Sequence, residues 1–381
     1  MNSSWPVVVV GAGVAGAFVA ARLAHSGVSV LLVDRDRFPR SKVCGACLSG
    51  RALAVLERSE VPGLAGLPQR LGMVPLKWFR LGAGGNEGTV PLGTGGAVSR
   101  LALDAGMLEI ASRAGATVWQ ETEALMVESD KAGTRLRLSR QGAPVEVEAG
   151  FVVLADGLGG RLSGRLLPDK VAKDSRVGAG CVLGPESAGD YAPGVIHMAC
   201  HGSGYLGIVR QEDGSLDMAM AADKPAMARA GGPAGLARAV LESCRWPVPP
   251  AMAKAQWRGT PPLTRSRIAG APGMVAVGDA AGYLEPFTGE GMGWALEGAE
   301  RLSAMVLNAF GNGSLGSVPG RWAGQQQRAS RRAKVACLML ARALRVPGVA
   351  VAAARCLRMF PAAAWPVTWW LDRQSPRWSW R

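Results

Sequence analysis

Residues 7–16 read VVVVGAGVAG, and eighteen residues after Gly16 a second apolar run, VSVLLVD, closes on Asp34. The first run is β-branched and uninterrupted, as a strand buried on both faces requires, and FVAARLAHSG after the glycines is helix-prone. Strand, glycine turn, helix and a second strand ending in an acid make a dinucleotide-binding βαβ unit. Gly11 permits the tight turn off the strand. Gly13, with Val14 and Ala15 behind it, lets backbone N–H groups approach a pyrophosphate, and Gly16 lets the helix lie close on the sheet. Asp34, followed by Arg35, would accept hydrogen bonds from a ribose.

A second glycine-bearing stretch, MVAVGDAAGYLEPFTGEGMGWALEGAE, begins at Met274. Asp279 follows a buried strand, where its carboxylate suits a ribityl hydroxyl of a flavin. The run from Pro286 through Gly289, Gly291 and Met292 to Gly293 feeds a helix expected from about Gly289 to Phe310. Its N-terminal N–H groups would face an isoalloxazine and favour the anionic reduced flavin. A third element, VVLADGLGGRLS, puts Asp156 and Gly157 after another apolar strand; taken alone, Asp-Gly is simply a good turn.

Between these motifs the periodicity predicts a helix over 98–115, stopped by a glycine, and then strands in TVWQETEALMV, RLRLSR and PVEVEAGFVVLADG. The first of these alternate and suggest a meander with one wet face. From about 177 to 257 the pattern becomes strands with glycine turns and one helix around Gly235–Cys244, the expected substrate region. Residues 311–320 look like a linker.

The chain has 381 residues and a formal net charge of +14. Twelve Lys or Arg against Asp372 alone give residues 321–381 a net +11, and six of the twelve tryptophans lie there: Trp322, Trp365, Trp369, Trp370, Trp378 and Trp380. No nucleic-acid module accompanies this charge, so nucleic acid is not an expected partner. Apolar runs with arginines and tryptophans suit peripheral contact with a bilayer surface, but prolines and Arg355 and Arg358 make a poor transmembrane span. The competing reading is a helical cap on the body of the protein. Seven cysteines, an odd number, suggest reduced thiols, and the opening has no secretory pattern. The expected location is the cytoplasm, with the inner face of the membrane as a place of contact.

The ordered set GAGVAG, Asp34, RSKVCG, RLALD, ADG and GDAAGYLEPFTGEGM resembles the flavoproteins of the p-hydroxybenzoate hydroxylase fold over about residues 5–310. Within them, KVCGACLSGRALAVL and PFTGEGM are most similar to the geranylgeranyl reductase branch. The resemblance implies an α/β protein: a glutathione reductase-type FAD-binding Rossmann domain (1–75, 97–170 and 265–312), an inserted mixed or antiparallel β-sheet substrate domain (76–96 and 171–264), and a basic, Trp-rich C-terminal helical tail (313–381). It implies that FAD is the cofactor, that Gly11, Gly13, Gly16 and Asp34 hold its ADP half, and that Arg40 and Val43, Cys44 and Gly45 line the flavin. Arg100 would reach the cofactor, Asp279 would bind the ribityl chain, and Cys44, close to the isoalloxazine, is the candidate catalytic residue. The chain departs from that branch where the aromatic motif Tyr-x-Trp-x-Phe-Pro is reduced to GYLGIVRQ around Tyr205. It also lacks the Trp-x-Trp-x-Ile-Pro stretch and dedicated lysine of related halogenases; Lys77 in LKWF reads as a surface residue.

Two enzyme readings follow. In one, reduced FAD gives a hydride from N5 to a carbon–carbon double bond of an isoprenoid or polyketide-like lipid. In the other, a flavin C4a-hydroperoxide hydroxylates or epoxidises an aromatic or polyene. A third reading is a non-catalytic, membrane-associated FAD protein. Without a second nucleotide domain, electrons would come from transiently docked NAD(P)H or from a redox partner. Cys44 and Cys47, spaced as CGAC, would form a flavin–dithiol relay if Lys42 and Arg40 lowered a thiol pKa, but without the second nicotinamide-binding unit of disulfide reductases the reading preferred is Cys44 as a flavin-side residue and Cys47 as a packed thiol. His197, Cys200 and His201 resemble metal ligands, but a strand would turn Cys200 away from the histidines and no fourth ligand is near; no metal is expected.

Overall fold

The computed structural model describes residues 4–130, 133–285, 287, 289–329, 335, 339–346 and 348–360. The VVVV run lies in the strand Ser4–Val10, inside a sheet ordered Gly270–Ala271, Met274–Ala276, Ala143–Leu154, Ser4–Val10, Val30–Val33, Thr117–Trp119. From Met274–Ala276 to Thr117–Trp119 every pairing is parallel. Val7 to Val9, Leu31 to Val33 and Val152 to Leu154 have no exposed surface, which explains why these strands are apolar without alternation. The helix Val14–His25 packs between Arg100–Arg113 and Gly291–Gly311. Ser99 caps the second of these, its Oγ accepting from the Ala102 amide at 3.1 Å.

The meander is present as Thr122–Asp130 and Gly133–Arg140, added antiparallel to Ala143–Leu154. Leu136 and Leu138 are buried while Arg135 and Arg137 are exposed, so one face is wet.

A second sheet of seven strands runs in the order Arg258–Pro262, Val177–Leu183, Leu216–Ala222, Gly204–Arg210, Val195–His201, Trp78–Ala83, Asn86–Pro91. Only the pair Val195–His201 and Trp78–Ala83 is parallel. All seven strands come from segments that leave the first sheet and return to it. One face is covered by the helix Pro233–Cys244 over Leu206, Ile208, Met218 and Met220. The other face carries Tyr205, Gly207, Val209, Ala219 and Ala221 toward the glycine turns of the first sheet.

The linker expected over 311–320 is shorter than the sequence suggests. A helix, Val318–Ala329, begins inside it because Val318 and Trp322 are wholly buried, and Trp322 Nε1 donates to the Ala276 carbonyl at 2.7 Å. Trp322 is therefore core and not part of an aromatic surface; Trp365, Trp369, Trp370, Trp378 and Trp380 lie outside the described residues. The helix Val349–Met359 rests on the strand Asn86–Pro91, where glycine makes the seat: a Cβ on Gly88 would stand 2.6 Å from Leu357 Cβ. No helix among the described residues is long and apolar enough to cross a membrane.

Candidate active site

Between the two sheets lies a cavity of about 780 Å³, within the roughly 300–1,000 Å³ of small-molecule sites. The first-sheet side contributes Gly11, Gly13, Val14, Ala15, Asp34 and Arg35. Loops contribute Arg40, Val43, Cys44, Gly45, Asp156 and Gly157, and the helix Arg100–Arg113 contributes its first residue, Arg100. Asp279, Gly289, Gly291 and Met292 complete the convergence of three chain-distant turns. Of the expected residues, Gly16 stands behind the wall, where a Cβ would lie 1.8 Å from the Gly11 carbonyl oxygen. Pro286 lies outside the described residues.

Asp34 closes the turn through its own hydrogen bonds. Its Oδ2 accepts from the Ala12 amide at 2.7 Å and its Oδ1 from the Asp36 amide at 2.9 Å, so the acid ties the glycine turn to its own strand end. Arg40 joins three carboxylates, with Asp34 at 3.8, Asp36 at 3.5 and Asp104 at 3.3 Å. Arg100 forks onto the same buried Asp104. Both guanidiniums reach the space beside Gly13, where a Cβ would lie 3.7 Å from a terminal nitrogen of each.

Lys42 Nζ stands 3.5 Å from Asp279 Oδ2. Asp156 Oδ2 accepts from the Ser163 amide at 3.0 Å, while its Oδ1 is buried with no partner. The turn after it needs Gly160, since a Cβ there would lie 2.2 Å from the Asp156 carboxyl carbon.

The surroundings of the two thiols disfavour their charged forms. Burial pushes Cys44 above its ordinary value, and the cation opposing that rise is Arg100, which also hydrogen-bonds it, in place of the Lys42 and Arg40 expected. Burial raises Cys47 further, with Cys44 and Asp217 adding to the rise. Both are free thiols.

The second-sheet wall is apolar, with Phe79, Leu81, Ile196 and Met198 beside Tyr205. Tyr205, the remnant of the aromatic motif, meets Phe287 edge-on at 5.0 Å. The C-terminal segment supplies Leu340, Leu344, Ala353 and Leu357 to the same cavity. The described part of the tail thus caps the site. It also leaves Met339, Val346, Met359 and Phe360 exposed beside Arg342, Arg355 and Arg358.

Several residues carry no motif signal and emerge only in three dimensions. Glu285 accepts from Arg176 at 3.2 Å and from Arg345 at 3.1 Å, locking the cap to the second turn. Asp217 is buried on the second sheet. Asp104 was legible in RLALD as an i,i+4 partner of Arg100. His197 lies buried between the edges of Tyr191 and Trp246, and Cys200 packs on the opposite face with Tyr205. Among the described residues no group of three or more His, Cys, Asp or Glu is placed to hold a metal.

Residues 4–66 match the FAD binding domain family. Over 343 residues the chain is 29% identical to a menaquinone reductase of Mycolicibacterium smegmatis, covering 82% of this chain and 78% of that relative. Among solved structures it is similar to p-nitrophenol 4-monooxygenase from Pseudomonas putida, with TM-score 0.78, 15% identity and 100% of both chains covered. It is also similar to a geranylgeranyl bacteriochlorophyll reductase-like protein from Thermoplasma acidophilum, with TM-score 0.74, 17% identity, and 91% and 89% of the chains covered. At such identities the two structures establish a shared fold. With the domain match, that fold and the reductase relative together, the chain is an FAD-dependent oxidoreductase.

Proposed function

We propose that the chain reduces a carbon–carbon double bond in an isoprenoid or polyketide-like lipid, with the polyprenyl chain of a menaquinone as the substrate suggested by its relative's name. The observation that carries this reading is the continuity of one cavity from the glycine turn at Gly13 to the apolar wall of Phe79, Ile196, Met198 and Leu344. Bound FAD, once reduced, supplies the hydride from N5.

The residues fit that cofactor. A Cβ at Gly45 would meet nothing within 4 Å and one at Gly13 only guanidinium nitrogens, so both positions leave room for a ligand against the backbone. Asp156 Oδ1 is a buried acceptor without a donor, suited to a cofactor hydroxyl or to water bridging to it. In this reading Gly11, Gly13, Val14, Ala15, Asp34 and Arg35 hold the ADP half, with Arg40 and Arg100 beside the pyrophosphate. Asp279, held by Lys42, takes the ribityl chain. Val43, Gly45, Gly157, Gly289, Gly291 and Met292 border the ring, as Pro286 would. Cys44, kept neutral by burial, faces the substrate as proton donor, and Arg100 steadies the thiolate left behind.

We divide the chain accordingly into a FAD domain (1–75, 97–170, 265–312), an inserted substrate sheet (76–96, 171–264) and a C-terminal region (313–381). Electrons come from NAD(P)H or a redox partner. The exposed apolar and basic residues of the cap favour contact with an anionic bilayer at the inner face of the membrane, from which a lipid would enter.

The test is anaerobic mixing of the photoreduced protein with a menaquinone in detergent. Reoxidation of the flavin with two hydrogens gained in the polyprenyl chain, read by mass spectrometry, is the expected result. Reoxidation only on admitting isotopically heavy O2, with the label in the product, would instead establish monooxygenation.

A further inference from the structure

The cavity between the sheets has two mouths. Most of its lining residues are buried or half-buried, and the exposed ones fall into two groups. The first group lies in loops 35–45, 159–161 and 259–261, which stand side by side. Arg258 donates to the Ser41 carbonyl at 3.3 Å, and a Cβ on Gly159 would lie 3.6 Å from Pro261. The second, among the described residues, is Cys356 alone.

These mouths open at opposite edges of the second sheet. Residues 259–261 belong to its first strand, Arg258–Pro262, and Cys356 to the helix Val349–Met359, which rests on its last strand, Asn86–Pro91. At ordinary strand spacing the two edges are at most about 29 Å apart. The first mouth is charged, with Arg35, Asp36 and Arg161 on its rim, and adjoins Asp34. With the ADP half of the cofactor held there, an apolar molecule is left the second.

That second mouth is apolar inside and basic outside. Ala353, Cys356 and Leu357 stand three and four residues apart on one face of their helix, and Leu340 and Leu344 are four apart on the preceding segment; all five line the cavity. Arg355, Arg358, Met359 and Phe360 are exposed beside them. The chain has no acid between Glu300 and Asp372. Asp174 pairs with Arg342 at 3.6 Å, and Arg345 with Glu285 at 3.1 Å. Arg355 instead donates to the neutral Asn86 side chain at 3.1 Å, and among the described residues neither it nor Arg358 pairs with a carboxylate. Uncompensated cations and exposed apolar side chains at the lip of an apolar cavity complement an anionic interface with hydrocarbon beneath it.

We propose that this mouth is a lipid portal, seated on an anionic bilayer by Arg355, Arg358, Met359 and Phe360, through which substrate passes between membrane and cavity without crossing water. The proposal rests on the bilayer contact and the lipid substrate read above, and adds the place where the two meet.

The test uses full-length, FAD-loaded protein with phosphatidylglycerol or phosphatidylcholine vesicles. Sedimentation should favour phosphatidylglycerol and fall about thirtyfold in Arg355→Ser/Arg358→Ser, since each arginine near an anionic surface contributes about fivefold. Maleimide labelling of Cys356, followed by peptide mass spectrometry, should slow on phosphatidylglycerol and not on phosphatidylcholine. Protein recovered from phosphatidylglycerol vesicles that carry a menaquinone should contain that lipid. Labelling Cys356 beforehand with a bulky maleimide should abolish the uptake while FAD stays bound, and Cys356→Ala, treated alike, should take the lipid up normally. Vesicle binding with Cys356 as reactive as before, or uptake indifferent to the bulky label, overturns the portal alone. No binding to phosphatidylglycerol, or no uptake by untreated protein, overturns it together with the reading beneath it. Shielding of Cys356 that rises with protein concentration and needs no vesicles would mean that a second copy of the chain covers this face, and overturns it too. None of these readouts needs turnover, so they decide the portal whichever flavin chemistry follows.

Discussion

Arg100 forks onto Asp104, Nε to Oδ1 at 2.9 Å and Nη2 to Oδ2 at 2.7 Å, and Asp104 has no exposed surface at all. Arg40 approaches the same carboxylate at 3.3 Å. Removing the acid leaves Arg40 its contacts with Asp34 and Asp36 but strands the buried Arg100, the situation in which breaking an ion pair costs about 3–5 kcal/mol. Asp104→Ala should lose that much in urea unfolding, and Asp104→Asn less, because its amide oxygen still accepts. A loss below about 1 kcal/mol in the alanine variant would mean that water reaches the site and the pair is not buried in solution.

Gly13 and Gly16 look equivalent in the motif, but their surroundings separate them. A Cβ at Gly16 collides with the Gly11 carbonyl, whereas at Gly13 it faces the cavity near Arg40 and Arg100. Gly13→Asp should therefore fold, its carboxylate taking the two guanidiniums in place of a pyrophosphate, and purify colourless. Gly16→Val should fail to yield folded protein. Circular dichroism with flavin absorbance distinguishes the two outcomes; a yellow Gly13→Asp would refute the assignment of the turn.

His197 is held edge-on by Tyr191 at 5.0 Å and Trp246 at 5.9 Å. Burial, and then the charge of Arg80, bring it down to about 4 from an ordinary 6.5. The unfolded chain binds the proton first as pH falls, so the stabilisation is whole above pH 6.5 and is lost between 6.5 and about 4. The span corresponds to about 3 kcal/mol. His197→Phe should flatten that part of the stability–pH curve, measured by urea unfolding at pH 7, 6, 5 and 4. An unchanged slope would show that the imidazole already ionises freely in the fold.

How far these features could be read in advance follows from their range along the chain. The βαβ turn, the helix stopped before Gly115 and the alternation of Arg135 to Leu138 are written in neighbouring residues, and each is found where its spacing puts it. The three glycine turns were legible singly, and their convergence on one cavity came from the resemblance. Asp34 was legible as an acid at a strand end, but its hydrogen bond to Ala12 spans 22 residues and depends on how the turn closes. Arg176, Glu285 and Arg345 were silent because their pairing joins segments 60 and 109 residues apart. Trp322 misled for a related reason: a basic neighbourhood suggested a surface, while the ring's destination is the Ala276 carbonyl across the fold.

The tail offers the sharpest test of how the site is closed. Gly88 carries the helix Val349–Met359 so closely that a Cβ there would lie 2.6 Å from Leu357 Cβ, 2.7 Å from the Ala354 carbonyl oxygen and 2.9 Å from the Arg358 nitrogen. Two of these are backbone atoms, so no rotamer change relieves the clash, and the helix must lift. Ala353 and Leu357 on that helix line the cavity, as does Leu344 before it, while the turns around Gly13 and Asp279 lie on the other sheet's side. Gly88→Leu should accordingly keep its full FAD content, lose about 1–3 kcal/mol from overpacking, and become susceptible to trypsin at Arg355 and Arg358. With a menaquinone as substrate, KM should rise by about tenfold, equivalent to about 1.4 kcal/mol of lost apolar contact, with kcat changing much less. Loss of FAD together with the trypsin sensitivity would mean that the helix buttresses the cofactor turns, and the view of it as a wall of the lipid site would have to be abandoned.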